Sequence, residues 1–153
     1  MNYLEVGKRE AKLALGGERV GDKGFFVAPP EFVGVKPNAR IAQEEIFGPV
    51  LSVIEVKDFE EAMRVANDVK FGLTSSIYTK DVSRVFQYLE HIETGITHVN
   101  SPTVGGEAQL PFGGMKATGV GAREMGRTAI EFYSEWKTVY VDYTGAKRTT
   151  SIY

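Results

Sequence analysis

Two segments of the chain carry apolar residues at helical spacing. In residues 58–69, Asp58 can serve as an N-cap, and Glu61 stands three positions on, where a capping box needs it. Residues 81–93 form a second such segment, which Gly95 ends. The spacing predicts two amphipathic helices. Their apolar stripes are Ala62, Val65, Ala66 and Val69 in the first, and Val82, Val85, Phe86, Leu89 and Ile92 in the second.

Runs of β-branched and apolar residues alternate with these helices. Their composition predicts strands over residues 49–56, 73–78, 96–100 and 138–143. A helix over residues 2–14 and a short strand over residues 24–28 complete the prediction. Because a crossover helix returns the chain to the same edge of a sheet, this order predicts an α/β fold with an open parallel sheet and flanking helices.

The composition is that of an ordinary globular domain. The 153 residues are 42% hydrophobic and 25% charged, which argues for one domain and against disorder. A formal net charge of −2 leaves no basic excess for a phosphate backbone, so we expect no nucleic-acid partner. No apolar run approaches the ~20 residues of a membrane span, and the first residues do not read as a signal peptide. We therefore expect no membrane association and a cytoplasmic location.

Glycine is concentrated in residues 105–126, which hold seven of the 17 glycines. This concentration predicts an ordered loop that lies close to a ligand or another chain. The sequence contains no Cys, so a disulfide, a thiolate metal site and a cysteine nucleophile are all excluded from these residues. Without a His-Glu-x-x-His or an Asp-rich loop, we expect no metal site.

Two adjacent carboxylates, Glu44 and Glu45, precede the strand at residues 49–56. Neighbouring side chains in an extended chain point to opposite sides, so these two would not share a proton as a catalytic pair does. One of them could instead face a cleft and accept hydrogen bonds from ribose hydroxyls. The competing interpretation is a solvated pair in a loop.

Other candidates for chemistry are weaker. His98 could act as a base, but a hydrogen-bonded structural histidine is the competing interpretation. Ser101 lacks the Gly-x-Ser-x-Gly context of a nucleophile elbow and is followed by Pro102. The Gly119-Val120-Gly121 run lacks the third glycine of a dinucleotide fingerprint. The residues taken by themselves thus indicate an α/β domain with one glycine-rich functional loop.

Several segments together resemble the aldehyde dehydrogenase superfamily. The chain carries the Glu-Glu-x-Phe-Gly-Pro motif at residues 44–49 and the Asn … Pro-Phe-Gly-Gly-x-Lys stretch from Asn100 to Lys116. Residues 137–139 are similar to the closing Lys-Thr-Val strand, and residues 24–30 resemble the Gly-Tyr-Phe … Pro segment. Thr118 departs mildly, since the family usually has serine there. Order and spacing agree over nearly the whole chain.

The resemblance covers only the C-terminal part of that family. Complete enzymes also carry a Rossmann-type coenzyme domain, a glutamate base and a cysteine nucleophile, N-terminal to the matching part. In them the thiolate adds to the aldehyde, hydride passes to the nicotinamide, and water hydrolyses the thioester. The resemblance implies that residues 1–136 belong to the catalytic domain and that residues 137–153 form an oligomerisation strand and a polar tail. It implies no catalytic residue in this chain.

The resemblance also implies which residues hold ligands in the complete enzyme. Glu45 would hold hydroxyls of the nicotinamide ribose of NAD or NADP, and Phe47 would pack beside the nicotinamide. The aldehyde tunnel would be lined by the loop that follows Asn100. The residues implied there are Ser101, Thr103, Val104, Gly105 and Phe112.

These expectations leave more than one function open. The first is a fragment of an aldehyde dehydrogenase that is inactive alone and associates with the missing N-terminal half or with itself. The second is a non-catalytic oligomerisation module that binds a full-length relative. A small ligand-binding α/β protein is a third. Residues 95–100 together with residues 103–107 are similar to branches of the family that act on acidic semialdehydes and related sugar-acid products.

Overall fold

The computed structural model describes residues 2–143 and 145. The described chain contains five helices: α1 (Asn2–Glu10), α2 (Arg40–Gln43), α3 (Phe59–Asn67), α4 (Val82–His91) and α5 (Gly126–Phe132). Its strands are β1 (Lys12–Leu15), β2 (Glu31–Val33), β3 (Leu51–Val53), β4 (Phe71–Gly72), β5 (Thr74–Ile77), β6 (Ile96–Val99) and β7 (Met115–Lys116). The predicted α/β composition is confirmed.

The described strands form three small sheets rather than one open parallel sheet. The first has the order β1-β2-β3, and the other two are the pairs β4-β7 and β5-β6. Strand β2 is parallel to β3 and β5 is parallel to β6, whereas β1-β2 and β4-β7 are antiparallel. The connection from β5 to β6 through α4 is the one that the sequence predicted, whereas α2, which connects β2 to β3, was not predicted. The prediction of a single sheet was wrong because periodicity identifies strands but not their neighbours, which tertiary contacts select.

The main core lies between α1, α2 and the first sheet. Phe32, in the middle strand β2, is fully buried at 0% exposure. Residues from α1, from α2 and from the segment that leads into α2 pack around it and complete the core. These residues are Leu4, Val6, Val35, Ala39 and Ile41. This packing fixes α1 and α2 against one another, and the segment that follows α2 begins from that rigid base.

The caps of α3 and α4 confirm the prediction from spacing. The Asp58 side chain accepts a hydrogen bond from the Glu61 backbone at 2.8 Å, and a Glu61 carboxylate oxygen accepts one from the Lys57 backbone at 2.9 Å. Asp81 caps α4 by accepting from the backbone of Ser83 at 2.9 Å. Both helices end within three residues of the predicted positions.

The N-terminal region differs from the prediction at two points. Helix α1 ends at Glu10 and not near residue 14, because Lys12–Leu15 pairs with Glu31–Val33 as β1. Residues 24–28 form no strand; an isolated bridge joins Val27 to Arg19, and the nearby strand is β2. In both places a partner distant in sequence decides the structure, and local composition does not reveal that partner.

The predicted closing strand is also absent from the structure. Residues 138–143 are described without regular secondary structure, and their side chains are exposed. A strand needs a neighbouring strand for its backbone hydrogen bonds, and none of the sheets formed by the described residues includes this segment. Residues 144 and 146–153, which include most of the predicted polar tail, lie outside the described residues.

The apolar stripe predicted for α4 is only partly covered. Ile92 is buried and Val85 is half-buried, but Val82, Phe86 and Leu89 are exposed. None of the described helices has the length and apolar character that crossing a membrane requires.

Candidate functional site

Three side chains from separate parts of the chain meet where α2 ends. Arg40 donates from Nε to Glu44 Oε1 at 2.8 Å and from a terminal nitrogen to Oε2 at 2.9 Å. The Tyr3 hydroxyl, from α1, donates to the same Oε2 at 2.9 Å. The Arg40 guanidinium also lies 6.0 Å from the centre of the Tyr3 ring. We call Tyr3, Arg40 and Glu44 the Glu44 clamp.

A second carboxylate joins the same two helices at the other end of α2. The two oxygens of Glu10 accept hydrogen bonds from the backbone N–H groups of Arg40 and Ile41, each at 3.2 Å. The residue before α2 is Ala39, whose side chain cannot cap the helix. Glu10 therefore supplies from α1 the cap that the local sequence lacks.

The Glu44 clamp holds Glu44 as a carboxylate. The hydrogen bonds from Arg40, followed in size by the one from Tyr3, lower the pKa of Glu44 from 4.5 to about 2. The same contact with Glu44 raises the pKa of Tyr3 above its ordinary value. Glu44 is thus ionised at neutral pH and both of its oxygens are already engaged.

The neighbouring Glu45 is not engaged by other side chains in this way. Its side chain is exposed, and within residues 2–143 and 145 no hydrogen bond or ion pair engages it. Both Glu44 and Glu45 border an open concavity of about 390 Å³ beside the start of β3. Phe47 lines the same concavity, is 93% exposed and has φ of +53°. The structure therefore brings together the two residues that the resemblance implied for the coenzyme.

A second cavity, of about 570 Å³, lies between β6 and the glycine-rich loop. Val104, Gly105 and Phe112, three of the residues implied for the aldehyde, line it. Ser101 and Thr103 do not line it; the Ser101 carbonyl instead accepts from the Ser76 hydroxyl at 2.6 Å. The two cavities share no lining residue, so this structure does not bring the two implied sites into one space.

The glycine-rich loop is held by specific contacts. The backbones of Phe112 and Glu124 exchange hydrogen bonds of 2.7 and 2.9 Å, and the Arg123 guanidinium donates to the Gly114 carbonyl. Asn100, at the start of this region, has φ of +54° and bonds both the N–H and the carbonyl of Thr79, at 2.8 and 2.9 Å. These contacts connect residues on the two sides of the loop and tie the segment before it to β5.

Sequence reasoning did not identify three structural groups near these sites. Arg40 stands four residues before Glu44, a spacing that can reveal a helical ion pair. Tyr3 is 41 residues from Glu44, and no local pattern indicates that contact. Lys116, within the resembling motif, donates to the carbonyls of Asn67 and Val69. The Nε2 atom of His98 is buried without a partner among the described residues, so the expected hydrogen bond at that nitrogen is absent there.

Known proteins similar to this chain include two curated semialdehyde dehydrogenases. The 2,5-dioxopentanoate dehydrogenase of Saccharolobus solfataricus is 46% identical over 142 residues, which cover 92% of this chain and 30% of that protein. The α-ketoglutaric semialdehyde dehydrogenase of Bacillus subtilis is 43% identical over 146 residues, with the same two coverages. The chain thus spans about 30% of the length of these relatives.

A solved structure similar to this chain is also that of an aldehyde dehydrogenase. The NAD-dependent aldehyde dehydrogenase of Sinorhizobium meliloti superimposes with a TM-score of 0.88 at 38% identity, over 98% of this chain and 30% of that one. Residues 1–139 match the aldehyde dehydrogenase family, and the chain belongs to that family.

Proposed function

We propose that this chain is the C-terminal part of an aldehyde dehydrogenase catalytic domain. In its complete form the enzyme oxidises an aldehyde to a carboxylate with NAD or NADP through a cysteine thioester. Family membership, the ~30% share of the relatives' length and the motifs at residues 44–49 and 111–116 support the proposal. Because these 153 residues contain no Cys, the chain alone does not form the thioester.

The observation that carries the proposal is the contrast between the two adjacent carboxylates. Glu44, Glu45 and Phe47 line the same concavity. Arg40 and Tyr3 engage Glu44, whereas Glu45 is exposed and has no partner among the described residues. An unengaged carboxylate can accept hydrogen bonds from both hydroxyls of a ribose. Glu45 therefore holds the nicotinamide ribose, and Phe47 packs beside the nicotinamide. Such positioning contributes to rate by fixing the orientation of the reacting groups.

The aldehyde lies against the glycine-rich loop in this proposal. One cavity is lined by Val104, Gly105 and Phe112. Ser101 and Thr103 precede these residues in the sequence. Both curated relatives are named for semialdehydes of an oxo acid. Together with the Thr103–Glu107 segment, these names favour an acidic semialdehyde as the substrate of the complete enzyme.

A chimera tests the role of Glu45. This chain replaces the matching segment of the Bacillus subtilis relative, and formation of NADH or NADPH is followed before steady state at saturating coenzyme. Glu45→Gln should slow hydride transfer more than aldehyde capture, because a charge-assisted hydrogen bond is roughly twice as strong as a neutral one. If Glu44→Gln slows that step and Glu45→Gln does not, the wrong carboxylate has been assigned.

The isolated chain provides a separate test. Purified chain, with NAD or NADP and a panel of aldehydes, should show no turnover above a blank preparation of a variant that does not fold. Mixing it with a separately expressed N-terminal remainder of the enzyme should restore activity. Turnover by the chain alone would refute the proposed dependence on a cysteine supplied from elsewhere.

A second candidate function is a non-catalytic module that associates with copies of itself or with a full-length relative. The exposed stripe of Val82, Phe86 and Leu89 on α4 favours it, since large exposed apolar patches mark contact surfaces. Residues 138–143 could add as a strand to another subunit. Sedimentation equilibrium should then show an oligomer. A folded monomer at every concentration would contradict this candidate.

A further inference from the structure

In the Glu44 clamp, three hydrogen bonds engage the two carboxylate oxygens of Glu44. Arg40 contacts both oxygens of Glu44 in a fork, and Tyr3 adds a third hydrogen bond to Oε2. A bidentate arginine–carboxylate contact fixes orientation as well as distance. The partners belong to α1 and α2, which are packed on the same core and joined again through Glu10. The clamp is therefore anchored to a rigid part of the fold.

Glu44 is also the residue at which the backbone leaves α2. Its N–H still donates to the Arg40 carbonyl at 2.9 Å, while its own φ of −100° and ψ of 145° are already extended. The backbone and the side chain of Glu44 are thus both hydrogen-bonded to Arg40. With these two connections fixed, the direction in which the chain continues to Glu45 is fixed as well.

The segment beyond Glu44 has few restraints of its own. Ile46 and Val50 pack on the core, but Glu45 and Phe47 are exposed. Phe47 holds a positive φ of +53°, a conformation that a bulky residue keeps only where its surroundings impose it. The restraints on its two sides are the packing of Ile46 and Val50 and, before them, the Glu44 clamp.

We infer that Glu44, held by Arg40 and Tyr3, is a positioning residue for coenzyme binding, because it sets the direction in which Glu45 and Phe47 face the concavity. The inference rests on the proposed function of Glu45 and Phe47. A segment that is already ordered pays no entropic cost of ordering when the ligand binds. Loss of this order therefore weakens binding. Saturating coenzyme restores the order, so the loss appears in the KM for coenzyme and not in kcat.

The first experiment uses the 153-residue chain without any ligand. Backbone ¹⁵N relaxation gives order parameters for Glu45, Ile46 and Phe47, where ~0.85 indicates a rigid backbone and values below ~0.6 a flexible one. In the native chain they should lie in the rigid range. Glu44→Gln should bring them below ~0.6, and Tyr3→Phe should lower them by less. Glu5→Gln is the matched control, because among the described residues that exposed carboxylate of α1 pairs only with Lys8, at 3.0 Å, and its loss should change nothing in this segment.

The second experiment uses the chimera with the Bacillus subtilis relative. For Glu44→Gln we expect the KM for coenzyme to rise about tenfold, the lower end of what the loss of an orienting partner costs at metal sites. The KM for aldehyde and kcat should stay within about twofold, and Glu5→Gln should behave as the native chimera. A merely structural role would lower the melting temperature and the yield of active enzyme without changing the KM for coenzyme.

The possible failures can be told apart. An active chimera whose KM for coenzyme is unchanged by Glu44→Gln, or order parameters that do not respond to it, would overturn the inference. A folded native chimera without coenzyme-dependent aldehyde oxidation would count against the proposed function instead. The order parameters of the isolated chain then decide by themselves whether Glu44 fixes the segment.

Discussion

Replacing Lys116 by methionine tests how the glycine-rich loop is attached to the rest of the chain. Lys116 Nζ donates to the carbonyls of Asn67 at 2.6 Å and Val69 at 2.9 Å, and it lies 3.0 Å from Glu93 Oε2. These groups lie where α3 ends and just beyond the end of α4. Only 20% of the lysine side chain is exposed. Methionine keeps the apolar stem but removes every donor.

The size of the effect follows from these contacts. A hydrogen bond that involves a charged group contributes roughly 1.5–3 kcal/mol, and both carbonyl contacts of Lys116 are exposed, which favours the lower part of that range. The Glu93 carboxylate is 58% exposed, so its ion pair adds less than about 1 kcal/mol. In the methionine variant, water can hydrogen-bond in part to the Asn67 and Val69 carbonyls that Lys116 contacted. We therefore expect Lys116→Met to lower the free energy of unfolding by about 2 kcal/mol.

Urea unfolding followed by circular dichroism measures this change, with the slope m checked for constancy. Glu93→Gln is the matched control, since it removes the ion pair and leaves both carbonyl contacts; it should change stability by less than about 1 kcal/mol. A loss below about 0.5 kcal/mol for Lys116→Met would refute the reasoning. Equal losses in the two variants would show that the ion pair, and not the carbonyl contacts, holds the loop.

Three further predictions concern the fold around the candidate coenzyme site. Gly7→Ala should lower the free energy of unfolding by about 1–2 kcal/mol, because the new Cβ would lie 2.6 Å from Cε2 of the fully buried Phe32, which outweighs the ~1 kcal/mol gain in helix propensity. Asp58→Ala should cost about 1 kcal/mol by removing the cap of α3. In an NMR titration Glu44 should protonate near pH 2; its stabilising contribution is complete above its ordinary pKa of 4.5 and is lost as the pH falls toward 2.

Each of these predictions has a result that would contradict it. Phe32→Leu should relieve part of the cost of Gly7→Ala, so additive losses would exclude the proposed clash. For Asp58, full stability in the alanine variant would mean that the cap contributes nothing. If Glu44 protonates near 4.5, or if Arg40→Met leaves its pKa unchanged, the clamp does not form as described.

The parts of the fold that were predictable from sequence are those that local interactions determine. Helices α3 and α4 each begin at an aspartate whose side chain reaches backbone N–H groups within three residues. Strand β1 was missed because Lys12–Leu15 is continuous with a helical segment and becomes a strand only by pairing with Glu31–Val33. Residues 138–143 show the converse, since an alternating pattern forms no strand without a neighbour.

The candidate site shows the same division. Motif resemblance indicated Glu45 and Phe47, and the structure brings them to one concavity. The residues that support them were not indicated, because Tyr3 approaches Glu44 from 41 positions away. For Ser101 and Thr103 the resemblance implied a shared lining, but the backbone turns at Asn100, with φ of +54°, and the cavity is lined by residues further along the loop.

The adjacent pair Glu44 and Glu45 shows what decides the role of a side chain here. The two residues are chemically identical, and the sequence leaves open which of them faces a cleft. Arg40, four positions before Glu44 on the same helical turn, is within reach of Glu44, and Tyr3 adds a donor from α1. Three hydrogen bonds already engage the two oxygens of Glu44, whereas no described residue engages the exposed side chain of Glu45. The engaged carboxylate thus makes the other one available, and a substitution at either position should be interpreted with both in view.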